Sequence, residues 1–138
     1  MELTKTRKIS SIVITILLFF FFTFANIYSI RQMSRYAVEL FFYDKALVAF
    51  QVGGMAGLND ELDRIILQDK MPREIAVAKY FKKNLGNLKS PGEFLKNVVE
   101  EKKNKINLFR HLRNVAFGCI VVLILLRLII TFRIRLRK

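Results

Sequence analysis

Apolar positions are not spread along this chain but gathered at its two ends. Residues 9–30, "ISSIVITILLFFFFTFANIYSI", run for 22 positions without a charge, which as a helix spans roughly 33 Å and exceeds a hydrocarbon core of about 30 Å. Residues 115–132, "VAFGCIVVLILLRLIITF", carry one charge in 18 positions and reach about 27 Å before their flanks are counted. Both stretches are predicted to be transmembrane helices. The first also has the outline of a signal peptide, with basic residues in "MELTKTRK" and a small-x-small site at Thr23-Phe24-Ala25. Its apolar run continues past that site to Ile30, so a retained helix is the expectation.

Between the two spans the pattern changes to helical amphipathicity with nameable breaks. No proline or glycine falls between Arg31 and Val52, so the first helix is expected to continue beyond the membrane. Gly53, Gly54 and Gly57 each cost about 1 kcal/mol in a helix interior relative to alanine, which predicts a bend or loop. A short helix should follow, with Asn59 as its N-cap, acids at Asp60, Glu61 and Asp63, and one apolar side from Leu58, Leu62, Ile65 and Ile66. Pro72 opens the next helix, which Gly86 is expected to close as a C-cap. Ser90, Pro91 and Glu93 then form a start signal for a long helix running directly into the second span, with Glu101 and Lys105 paired four apart.

The predicted fold class is an all-α membrane protein: two transmembrane helices joined by a mainly helical extramembrane hairpin. Its parts are an N-terminal tail (1–8), a span (9–30), an extramembrane region (31–114), a second span (115–132) and a basic C-terminal tail (133–138). A single hairpin encloses little core. The stripe of Phe41, Phe42, Val48 and Phe50 is therefore expected to meet Val98, Ile106 and Phe109, or a second subunit. Inside the first span, Ser11, Thr15, Asn26 and Ser29 fall within about 60° of one another, a small and polar face suited to helix packing. Asn114 and Gly118 offer the matching positions on the second span. The alternative for the hydroxyls is that they satisfy their own helix carbonyls. The Gly53-x-x-x-Gly57 spacing is read as a loop, because only residues 46–58 around it are uncharged, too few to span.

Composition sharpens this picture. The chain has 138 residues, 53% of them hydrophobic and 25% charged, with a formal net charge of +13. Eight of the 24 basic residues lie in the tails or at Arg127, leaving 16 basic against 10 acidic residues in the middle region. The surplus suits anionic lipid headgroups or an acidic partner subunit, and nucleic acid is disfavoured. Both tails are basic, through Lys5, Arg7 and Lys8 at one end and Arg133, Arg135, Arg137 and Lys138 at the other. The positive-inside rule then favours both termini in the cytoplasm and the middle region in the periplasm, with a cytoplasmic middle as the alternative. The inner (plasma) membrane of a bacterium is the expected location, although the span's composition does not identify a host. The middle region is long enough to translocate despite its own basic residues. Arg127 is read as a snorkelling residue that anchors the interface with the four C-terminal basic residues; the sharper reading makes it the buried partner of an acid on another subunit.

Candidate chemistry is sparse. His111 and Cys119 are the single histidine and the single cysteine, and they lie about 12 Å apart along one helix, too far for direct proton transfer. The acids of "NDELD" suit a helix start. No metal-ligand spacing, phosphate loop or nucleotide fingerprint is present, so neither an enzyme nor a cofactor is expected. The stretches "FANIYSIRQMSRY" and "LLRLIITFRIR" slightly resemble the membrane flanks of bacterial chemoreceptors and sensor kinases. Such flanks are mostly products of membrane physics, and no family is assigned from them. The function expected is a non-enzymatic accessory, scaffold or assembly subunit of a larger membrane complex, whose partners are the bilayer, other membrane subunits or further copies of itself. The alternatives are a receptor-like dimeric sensing bundle and a membrane-active or toxin-neutralising protein.

Overall fold

The computed structural model describes residues 2–68 and 71–136, with side-chain surroundings for 9–68 and 71–133. Every regular element among these residues is helical: α1 (Glu2–Gln68), α2 (Pro72–Asn84), a single 3-10 turn (Leu85–Asn87) and α3 (Pro91–Leu136). Helices α1 and α3 are long and apolar enough to cross a membrane. The chain divides into two compact units, one of Met1–Arg31 with Phe109–Lys138 and one of Gln32–Leu108.

In the first unit the two apolar segments pair antiparallel. Tyr28 meets Phe109 with ring centroids 6.1 Å apart, and the Asn26 side-chain amide donates to the Arg113 carbonyl at 3.4 Å. Further along, Phe22 shares a surface groove with Cys119 and Val122, and Thr15 shares one with Arg127. The outward faces are bare. Of the most apolar window of each helix, 0% in α1 and 6% in α3 is buried inside the protein, unlike the core helix of a water-soluble fold.

The second unit has a core of its own. Its geometry starts at Gly54, where φ 59° and ψ −143° break the helix and fold the chain back. An L side chain rarely adopts that backbone conformation, so glycine is required. The return is tight at Gly57, where an added Cβ would lie 2.7 Å from the Ala49 carbonyl oxygen. Leu58, Leu62 and Ile65 thereby join Phe42 and Ala46, and Ala78, Phe81, Leu85 and Leu95 close the cluster. Phe81 connects three elements. It lies edge-on to Phe42 and Tyr43 of α1, at 6.3 and 6.0 Å, and stacks on Phe94 of α3 at 5.9 Å. Such aromatic pairs add about 0.5–1.5 kcal/mol each beyond their area burial.

Several local expectations need correction. Of the bend or loop expected at the glycine run, the structure has the bend, a kink at Gly54; the helix has resumed before Asn59, which lies inside it rather than at its N-cap. Gly86 does not terminate α2 in the left-handed conformation. The helix ends at Asn84 and tightens into the 3-10 turn, with the Leu85 N–H on the Lys82 carbonyl and the Leu88 N–H on the Leu85 carbonyl. The prolines behave as read, Pro72 and Pro91 each standing at the first position of its helix, where a missing N–H costs nothing.

Candidate functional site

Three surfaces qualify as candidate sites: the helix-packing face of the first unit, the groove around Arg127, and the apolar side of the second unit.

On the packing face, Asn26 makes a polar bond between the two segments, and Ser29 is buried. The hydroxyls of Thr15 and Ser29 donate to the carbonyls of Ser11 and Ala25, four residues back, at 2.8 Å each. These hydroxyls serve their own helix, which is the alternative raised from sequence. Ser11 is exposed. On α3 the expected positions are off by a few residues. Asn114 is exposed and accepts from the Arg113 guanidinium at 3.2 Å, while the Arg113 carbonyl takes the bond from Asn26. Gly118 is also exposed, and a Cβ there would meet nothing within 4 Å, so it provides no close approach. Ala116 is the small residue that is buried. It lies two positions from each of the residues chosen from sequence. Two residues on a helix turn the side chain through about 200°, so Ala116 faces nearly opposite to both.

Arg127 lies in a groove of about 490 Å³ between the segments. Ile16, Phe19 and Phe20 form one wall and Leu123, Ile124 and Leu128 the other. Thr15, Arg127 and Thr131 gather at the end nearest the chain termini, and the Thr131 hydroxyl donates to the Arg127 carbonyl at 2.8 Å. Arg127 is half-buried, whereas Arg133 is exposed. Arg137 and Lys138 lie outside the described residues, as does the side chain of Arg135.

The apolar stripe of the second unit splits in two. Phe42, expected to face a partner, is 0% exposed and forms the centre of the unit's own core. Phe50 also turns inward, packing on that core and approaching so near to Gly92 that a Cβ there would lie 2.5 Å from its ring. Residues 58–65, folded back by the kink, join α2 in covering Phe42, and α3 covers Phe50 at Gly92. Phe41 and Val48 remain outside at 54% and 53% exposure, joined by Val52 at 86%. The Lys45 ammonium rests 3.9 Å from the centroid of the Phe41 ring. Val98, Ile106 and Phe109 are half-buried, and Phe109 pairs with Tyr28 in the first unit.

A polar cluster stands on the other side of α1. Glu39 accepts from Lys102 of α3 at 2.7 Å and from Arg73 of α2 at 3.2 Å, with Arg35 at 3.5 Å. Burial pushes its carboxyl up, but the hydrogen bonds and charges of Lys102 and Arg73 outweigh it and hold the pKa below the usual value. Lys102 also lies 5.2 Å from the Tyr36 ring. The predicted pair of Glu101 with Lys105 is formed. One carboxylate tying three elements together is a structural clamp, and its cations are engaged rather than displayed. His111 is exposed, Cys119 is half-buried, and among the described residues no three histidine, cysteine or acidic side chains come together. Compared with protein-family models, curated proteins and solved structures, the chain shows no match to any.

Proposed function

We propose that this chain is a non-enzymatic integral membrane protein that serves as an accessory or assembly subunit of a larger membrane complex. The apolar segments of α1 and α3 cross the bilayer as an antiparallel pair, with both tails in the cytoplasm of a bacterium and residues 32–108 on the periplasmic side of its inner membrane. What supports the membrane placement is that these segments pack on each other along one face only and leave Phe20, Phe24, Phe117 and Leu128 bare at 60–70% exposure, surface that water would penalise and lipid would not.

The partner reading rests on a single observation. In a unit that has completed its own core, Phe41, Val48 and Val52 stay exposed along one side of α1. With residues 32–108 outside the bilayer, another protein is the natural cover. The test is to purify the full chain in mild detergent, determine the mass of the assembly, and repeat with Phe41→Glu and Val48→Glu together. A partner present at fixed stoichiometry in the parent and lost from the variant supports the reading. A monodisperse monomer, or an assembly indifferent to both substitutions, refutes it. A dimer of the chain alone that dissociates in the variant would point instead to a receptor-like bundle.

A further inference from the structure

We propose that the groove between residues 15–20 of α1 and 123–131 of α3 is a binding site for one anionic phospholipid, with the Arg127 guanidinium on the headgroup phosphate and an acyl chain along the apolar walls. This rests on the membrane placement proposed above.

Three observations carry it. Arg127 is the one charge in residues 115–132, and neither those residues nor 9–30 contain an aspartate or glutamate, so no acid of either span can neutralise it. It is half-buried and lines the groove. The groove lining offers no competing donor hydroxyl, since Thr15 and Thr131 each give their proton to a carbonyl of their own helix. The guanidinium is therefore the donor available there, and a planar fork of N–H groups suits a phosphate.

The position of the groove selects the lipid over a partner's carboxylate. Arg127 lies five residues, about 8 Å, from the end of the apolar run at Phe132, within reach of the headgroup level for a long side chain. From there the walls continue through Phe19, Leu123 and Ile124 toward the middle of the span, and they are wholly apolar. An acyl chain of one leaflet has that course, with its charge at the outer end and hydrocarbon beyond. The sequence adds basic residues at the same end of both segments, Lys5, Arg7 and Lys8 before the first and Arg133 and Arg135 after the second. Basic pockets between membrane helices on the cytoplasmic side favour anionic headgroups.

The experiment uses the full chain in mild detergent micelles supplied with equal amounts of phosphatidylglycerol and phosphatidylcholine, with retained lipid read by native mass spectrometry. One phosphatidylglycerol should be retained in preference to phosphatidylcholine. Arg127→Gln should lower its retention about five-fold, the factor that loss of one surface cation confers, and leave phosphatidylcholine unchanged. Leu123→Trp, which fills the groove and keeps the charge, should also lower it, so the proposal stays testable if the arginine variant fails to fold. Equal retention of the two lipids, or retention of phosphatidylglycerol unaffected by both substitutions, would overturn the site. So would release, on Arg127→Gln, of a protein bearing an acidic membrane helix with lipid retention unaltered. Membrane insertion is measured separately on the same variants, so loss of lipid from a chain that stays inserted bears on the site alone.

Discussion

Gly53 and Gly54 are neighbours in sequence, yet alanine should shift stability in opposite directions at the two. Gly53 is helical, exposed, and has open space where a Cβ would go, so Gly53→Ala removes backbone entropy from the unfolded chain at no steric cost and should stabilise by about 0.4–1 kcal/mol. Gly54 also has open space, but its φ is +59°, and an L residue held there costs about 1–3 kcal/mol. Relief would require the kink to relax, which would draw Leu58, Leu62 and Ile65 away from Phe42 and Ala46. Hydrogen exchange of the amides of residues 58–66 in the detergent-solubilised protein reads both effects. Where reclosing is fast relative to exchange, Gly54→Ala should speed it by roughly 5- to 150-fold, the equivalent of 1–3 kcal/mol, and Gly53→Ala should slow it by a few-fold. Equal effects at the two positions, or no effect at Gly54, would refute the view that this one backbone conformation organises the second unit.

Three further expectations follow from particular contacts. Glu39 has a lowered pKa in the folded state, so the stability it contributes is present above the unfolded value near 4.5 and is lost as pH falls through the lower folded value. Exchange protection of residues 95–102 should accordingly fall below about pH 4.5, and less steeply in Glu39→Gln; equal slopes would remove Glu39 from the account. In the membrane pair, Ala116→Phe should loosen the two segments, measured as reduced cross-linking between cysteines placed at 22 and 122, whereas Gly118→Leu should leave it unchanged; the reverse order would contradict the packing described. A reporter active only in the periplasm, fused at Gly86, should be active, and silence there would invert the proposed topology.

The two long helices were legible in the sequence because their signals are redundant: apolar runs with at most one charge, prolines confined to first helical positions, and no breaker between Phe94 and Leu112. The core of the second unit was legible only in part. Leu58, Leu62, Ile65 and Ile66 were identified as one apolar side by their spacing, and the first three are buried while Ile66 packs half-buried against them. Phe42 and Phe50 were placed on the outer stripe because periodicity fixes a face along one helix and carries no information about the segments that come to cover it. Three glycines within five residues located the break. They did not reveal which of the three takes the left-handed conformation, since glycine at each position permits it equally, and it is Gly54 that does so. In the first unit the polar face of α1 did include Asn26 and Ser29, the residues that come to lie at the pairing surface. The choice of Asn114 and Gly118 opposite them followed residue type rather than helical phase, and it is Ala116, facing nearly opposite to both, that is buried.

The central claim is that both apolar segments lie in lipid, and alkaline carbonate extraction of vesicles from cells making the full chain tests it most directly. The intact protein should stay with the membrane pellet at high pH and leave it only when detergent is added. Release of the full-length chain into the carbonate supernatant would contradict the account.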